Sequence, residues 1–410
     1  MSCCEPPLGV AYLQVLLSRR HDIAVYPSDA LDRDAPPEGM YLYRPAEVLL
    51  PVSQIELFTV TAKRLGIRYW RLDEQSDELR PDAIARFAIG VNADLDIVLD
   101  RLVRAAGAQL RVTPNHVLLT CPVWGLSPAG EPLVADTLPT PKDDGDPWDV
   151  TVAVIDSGLP EGFAANQLLA GVDVAPGDEE QWAYAGPHPV LTFPQGHGSF
   201  VAGVVRLVAP RAQVRSYLAA DQDGVTDEWY LGEQIDLALA DGPSVVNLSL
   251  GATSRHDEPL MGLGSLQVAA SAESGPIVVA AAGNLDSQRP FWPAAEPWVI
   301  GVAAVEMSGD PEVLTRAWFS DYGPWVDVCA VGVDVVSAYE AHPYRPLTDP
   351  SQLRHFKGAA IWSGTSFATP RVAAAVAGLR ASDPTLSRDR ALALFAASGV
   401  DVPGIGTFVE

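Results

Sequence analysis

Val150-Thr151-Val152-Ala153-Val154-Ile155-Asp156-Ser157-Gly158 is the stretch on which the reading of the fold turns. Its first residues are continuously apolar or β-branched, and the run closes on a carboxylate and a Ser-Gly turn. A strand with one wet face alternates apolar and polar side chains. An unbroken run of this length suits a strand covered on both faces, as in a parallel sheet held between helices. Near-continuous runs of the same kind recur at Val214 to Leu218, at Val245-Val246-Asn247-Leu248-Ser249-Leu250, at Ile277 to Ala282 and at Trp298 to Val302. Helical patterns lie between them, such as His197 to Val208 and Leu231 to Ala240. The expected fold class is α/β: a mostly parallel sheet flanked by helices, plus a smaller N-terminal α/β domain. In open sheets of this kind chemistry collects at the carboxyl ends of the strands.

Several polar residues fall there. Asp156 ends the first run. His197 stands in Gly196-His197-Gly198-Ser199-Phe200-Val201-Ala202-Gly203, flanked by glycines and followed by small and apolar residues that suit a helix packed on a sheet. Its imidazole is the side chain whose ordinary pKa suits proton transfer near neutrality. Asn284 follows the run 277–282 in Ala281-Ala282-Gly283-Asn284, and Ser366 lies in Gly364-Thr365-Ser366-Phe367-Ala368-Thr369-Pro370, before an Ala-rich stretch that reads as a buried helix. A serine at a helix start sits among unpaired backbone N–H groups, where the helix dipole favours negative charge. Taken singly, each has an ordinary structural role: a turn carboxylate, a core histidine, a Gly-Asn turn, an N-cap serine.

Together they run in the order Asp, His, Asn, Ser, one of the known arrangements of the Ser-His-Asp triad. With Val246-Asn247-Leu248-Ser249-Leu250-Gly251 as a further matching block, residues 148 to about 400 resemble the subtilases, the subtilisin-like serine proteases. The resemblance implies a serine endopeptidase working through an acyl-enzyme. Ser366 would be the nucleophile, His197 the base, Asp156 its orienter, and the Asn284 amide with the Ser366 N–H would hold the oxyanion. It implies a substrate-binding strand at Ser249-Leu250-Gly251 and an opposite pocket wall at Ala281-Ala282-Gly283. The residue before the aromatic-Pro pair, Phe291 here, would build the floor of the primary pocket. A Phe pointing inward there would leave room only for small apolar side chains. The family implies calcium sites, but the residues point to no cofactor: Asp178-Glu179-Glu180 and Asp221-Gln222-Asp223-Gly224 read equally as solvated loops.

Upstream of residue 125 the patterning is weaker. Asp94 to Ala106 carries helical spacing, with Gly107 as a stop. Gln109 to Val112 and His116 to Leu119 flank Thr113-Pro114-Asn115, which reads as strand, turn, strand. Val48 to Leu65 and Pro81 to Ile89 supply further candidate elements. The expected organisation is an N-terminal domain at 1–124, regulatory or similar to a subtilase propeptide that occupies the cleft; a Pro/Gly/Asp-rich linker at 125–147; a peptidase domain at 148–400; and a tail at 401–410.

The formal net charge is −25. Such a field disfavours nucleic acid and anionic membranes as partners; it speaks chiefly to solubility, although it would also steer a basic substrate. Cys3, Cys4, Cys121 and Cys329 match no zinc spacing and read as reduced thiols. Met1 to Val10 has no basic and apolar leader pattern, and no run is long enough to span a bilayer, so the expected location is cytoplasmic. Two other function classes share these motifs: an idle fold used as a binding module, and an acyl transferase or ligase with the same chemistry.

Overall fold

The computed structural model describes residues 8–30, 38–73, 83–90, 94–107, 109–120, 130–141, 145–180, 190–309 and 313–410. The N-terminal unit comprises α1 (Leu8–Arg19), β1 (Ala24–Tyr26), β2 (Tyr41–Pro51), α2 (Ile55–Arg64), β3 (Arg68–Arg71), β4 (Ile84–Gly90), α3 (Leu95–Ala106) and β5 (Thr113–Leu119). α2 and α3 bury their apolar stripes, Phe58 and Ala62 with Leu95, Val98, Leu99 and Leu102, against Val48, Leu50, Phe87 and Ile89 of the sheet. The helix expected over 94–106 is there, capped by the Asp94 carboxylate on the Asp96 N–H at 2.9 Å and ended by Gly107 at φ 77°.

The strand, turn, strand expected at 109–119 is instead one strand. Pro114 and Asn115 lie inside β5, paired with β2, and 109–112 is irregular. The reason is tertiary. Buried Asn115 spends its amide on Glu47 Oε2 at 2.9 Å and its carbonyl on the Trp229 N–H at 3.3 Å, so it does not fold back on its own backbone as an Asx turn would.

After β6 (Leu133–Val134) come β7 (Thr151–Asp156), β8 (Asp173–Val174), α4 (His197–Val208), β9 (Gln213–Leu218), β10 (Val225–Asp227), α5 (Glu228–Ala240), β11 (Val245–Leu248), α6 (Gly264–Ala270), β12 (Ile277–Ala281), β13 (Val299–Ser308), β14 (Val313–Arg316), β15 (Val328–Val331), β16 (Val335–Ala338), β17 (Pro343–Tyr344), β18 (Arg354–His355), β19 (Ala359–Trp362), α7 (Thr365–Ser382), α8 (Arg388–Ser398), β20 (Asp401–Val402) and β21 (Gly406–Phe408). The main sheet runs β20-β21-β15-β13-β12-β11-β7-β9-β8, with β14 added to β13. Every pairing from β21 to β8 is parallel; those of β20 and β14 are antiparallel. The runs read as doubly covered strands form its centre, with Val152, Val154, Val245, Val279 and Ile300 buried.

Three expectations about segments outside the centre change. The residues read as a C-terminal tail join the main sheet: β21 pairs with β15, and Val402 and Ile405 pack with buried Cys329. Positive φ at Gly404 and Gly406 permits the tight reversal between β20 and β21. The described part of the linker is also tied down. β6 pairs with β19, and buried Glu131 accepts from Tyr344 Oη at 2.9 Å and Thr348 Oγ1 at 2.6 Å. Residues 121–129 and 142–144 of it lie outside the described residues. The acidic stretches are not solvated loops either. Asp178 and Glu180 are buried, and Asp221 and Asp223 accept from Arg20 of the N-terminal unit at 2.6 and 3.2 Å.

Candidate active site

Asp156, the last residue of β7, is buried, and its Oδ1 accepts from the Ser157 N–H at 2.8 Å. The same oxygen lies 2.7 Å from His197 Nδ1. His197 is the first residue of α4, and two glycines let that helix start here. A Cβ on Gly198 would come within 2.4 Å of the Gly158 carbonyl oxygen; Gly196 has φ 83° and faces the Tyr339 ring. The imidazole is held edge-on by Trp362, with centroids 5.7 Å apart, and lies 5.4 Å from Phe367. Glu180 and Ser157 steady the turn. Glu180 Oε1 accepts from the Gly196 N–H at 2.9 Å and Ser157 Oγ at 3.2 Å, and Ser157 Oγ accepts from the Gly198 N–H at 3.0 Å.

Ser366 occupies the first turn of α7. Its Oγ donates at 3.1 Å to the Thr120 carbonyl, with the Ser249 carbonyl at 3.3 Å. The backbone of Ser366 is held from below, where Ser249 Oγ donates to its carbonyl at 2.8 Å and accepts from Asn247 Nδ2 at 3.0 Å. Asn284 is oriented by Thr365. The Thr365 N–H and Oγ1 both donate to Asn284 Oδ1, at 2.9 and 3.0 Å, and Thr365 Oγ1 accepts from the Gly283 N–H at 3.1 Å. With its oxygen fixed, the amide directs its NH₂ away from Thr365. Asp156 at the end of β7, His197 at the start of α4, Asn284 in the loop after β12 and Ser366 at the start of α7 thus lie where strands end and helices begin.

The subtilase family model matches residues 148–398. This chain belongs to the subtilase family. It is 31% identical over 206 residues to the thermostable alkaline protease of Halalkalibacterium halodurans, covering 48% of this chain and 50% of that protein. It is 30% identical over 247 residues to subtilisin BL of Lederbergia lenta, covering 58% of this chain and 78% of that protein. It spans about half the length of the first of these relatives. Its fold is shared with fervidolysin from Fervidobacterium pennivorans, a keratinolytic enzyme related to subtilisin: TM-score 0.60 at 18% identity, covering 90% of this chain and 60% of that one.

In this subtilase the two expected pocket walls stand close around Phe291. The side chain is buried; a Cβ on Gly251 would fall 2.3 Å from its ring, and one on Gly283 would fall 3.0 Å from it. The ring therefore lies between Gly251 and Gly283. The N-terminal unit meets the same surface. β5 pairs antiparallel with β10, extending the N-terminal sheet across the boundary (Val225 opposite Leu119, Asp227 opposite Val117). Leu119 and Gly251 exchange backbone hydrogen bonds at 3.0 and 3.1 Å, and the Thr120 N–H donates to the Gly224 carbonyl at 3.0 Å.

Sequence reasoning missed Thr365, Ser157, Glu180 and Thr120. The first two were legible as polar neighbours inside recognised motifs. Glu180 and Thr120 carry no local signal, because their roles arise from chain segments brought up from far away. Among the described residues, one group has metal-ligand spacing: Asp96, Asp100 and His256. The Arg255 guanidinium already bonds both carboxylates there, so these residues do not fit a resident calcium ion. Among the described residues no helix is long and apolar enough to cross a membrane.

Proposed function

We propose that the chain is a serine endopeptidase with Ser366 as nucleophile, His197 as general base and Asp156 as the group that orients His197. The observation that carries this reading is the Asp156–His197 contact at 2.7 Å, with the His197 ring 5.4 Å from that of Phe367, the residue after Ser366 in the first turn of α7. With Nδ1–H held by the carboxylate, Nε2 is the basic nitrogen that takes the Ser366 proton as Oγ attacks a peptide carbonyl. The imidazolium then returns the proton to the departing amine. The Asn284 NH₂, aimed by Thr365, and the Ser366 N–H stabilise the tetrahedral oxyanion. Water deacylates the enzyme by the same proton route in reverse. Ser366→Ala in the full chain is expected to abolish both casein hydrolysis and labelling by a fluorophosphonate. Labelling that persists in that variant would remove Ser366 from the role.

The N-terminal unit acts as an inhibitor in the same chain. Support comes from Leu118-Leu119-Thr120, which lies along β10 and Gly251 as a peptide substrate would, with the Thr120 carbonyl on Ser366 Oγ. Phe291, wedged between the walls, restricts the primary pocket to small side chains such as Ala or Val. Cleavage of a peptide library after Phe or Leu as readily as after Ala would reject that specificity. Phe291→Gly should extend cleavage to larger residues. Among the described residues Cys329 is a free, buried thiol, which accords with a cytoplasmic location.

A further inference from the structure

We propose that Glu228 is a specificity residue of the substrate cleft and selects peptides with a basic residue four positions before the one that takes the place of Thr120. The inference rests on the reading of 118–120 as a segment lying where substrate lies.

Glu228 opens α5 and is buried at 1% exposure. One oxygen is satisfied within its own unit, since Oε2 accepts from the Gly262 N–H at 3.0 Å. The other depends on β5. Glu228 Oε1 accepts from the His116 backbone N–H at 3.3 Å and contacts His116 Nδ1. His116 Nε2 accepts from the Arg255 N–H at 2.9 Å, so the ring proton is on Nδ1 and is donated to the carboxylate. When a peptide replaces β5, its backbone can supply the first of these contacts whatever its sequence. The second needs a side-chain donor. A carboxylate buried without one is costly, and a cation satisfies it best.

The acids next to Glu228 show the same pattern. Asp227 accepts from Arg44 Nε at 2.8 Å, and Asp221 and Asp223 accept from Arg20. Along residues 221–228, each of these four acids meets a basic side chain of the N-terminal unit. The strip therefore offers a peptide a line of carboxylates, of which Glu228 is the most buried and is reached from the strand itself. Elsewhere on the boundary the polarity reverses, with Arg255 on the catalytic side bonding Asp96 and Asp100 of α3. The match is thus specific to the strip beside the cleft strand.

The test uses the full chain as Ser366→Ala, with a recognition site for an unrelated protease placed within 121–129 and cut after folding. Displacement of the fluorescently tagged N-terminal piece is followed with peptides acetyl-Asn-Xaa-Val-Leu-Leu-Thr-Ala-Ser-amide, where Xaa is Arg, Gln or Glu. The Arg peptide is expected to displace it at a concentration at least about tenfold below the Gln peptide, with the Glu peptide weakest. Glu228→Gln should close the gap between Arg and Gln. Equal displacement by all three peptides, or by none, overturns the proposal. Fluorophosphonate labelling of the cut chain with Ser366 intact reports separately on the peptidase reading. Absence of labelling there would count against catalysis, while the displacement ratios would still decide the role of Glu228.

Discussion

The reaction centre and the boundary with the N-terminal unit hold their polar groups in opposite ways. At the centre, Asp156 with His197, Ser157 with Glu180, and Thr365 with Asn284 all pair within the catalytic unit. All six are buried. At the boundary, charges pair across it, Arg20 with Asp221, Arg44 with Asp227 and Arg255 with Asp96, and the neutral His116 ring donates to Glu228. The three pairs at the centre need no partner, although Ser366 Oγ itself donates across the boundary to the Thr120 carbonyl. The boundary arrangement is stable only while the two units meet, and its exposed members weaken with salt. The difference is that the pairs at the candidate site need nothing from the N-terminal unit, whereas the contacts between the units include ion pairs that respond to salt.

The sharpest way to break this contrast is to remove a group from the centre. His197→Ala should reduce peptide hydrolysis to background with the fold intact by circular dichroism; retained turnover would show that another base serves Ser366. A smaller effect is expected from Thr365→Val, which keeps the shape but removes the hydroxyl that fixes Asn284. It should lower kcat about tenfold to a hundredfold with little change in KM, because the oxyanion donor matters in the transition state. Thr365→Ser should restore most of the loss, and a change confined to KM would assign Thr365 to substrate binding instead.

At the boundary the expected effects are milder and opposite in sign. Raising ionic strength, or combining Arg20→Ala with Arg44→Ala, should increase the activity of the full chain several-fold by loosening the N-terminal unit. Unchanged or lower activity in a well-folded double variant would mean that these ion pairs do not hold the cleft closed.

The smallest effect concerns stability. Burial pushes the Asp178 carboxyl up to about 7, and Glu340 likewise to about 7. A folded state that keeps a proton the unfolded chain releases near pH 4 loses stability as pH rises from about 4 to about 7. Asp178→Asn cannot release that proton, so its melting temperature should fall less over this interval than that of the parent chain. Parallel curves for the two would show that Asp178 does not titrate differently on folding.

Local sequence determined a great deal here. Short, near-continuous apolar runs rich in β-branched residues and ending in Asp156, Leu248 and Ala281 suit doubly covered strands better than buried helices, which need longer runs. Glycines about His197 and the small residues around Ser366 mark places where backbone must approach closely. These signals lie within a few residues of the groups they position, so the central sheet and the four candidate site residues were legible. The contrary cases share one physical cause. Asn115 reads as a turn because its neighbours are Pro114 and Thr113, yet it lies in a strand because Glu47 and Trp229 satisfy its amide. Glu180 reads as solvent-facing because Asp178 and Glu179 are also acidic, yet the Gly196 N–H and Ser157 Oγ bury it. Residues 401–410 read as a tail, yet the open edge of β15 accepts part of them, β21, as a strand. Thr120 reaches Ser366 across 246 positions of sequence. Periodicity and turn chemistry record what a residue does with its near neighbours; a buried polar group or a sheet edge is completed by whichever distant segment supplies the missing hydrogen bonds, and only the tertiary structure selects that segment.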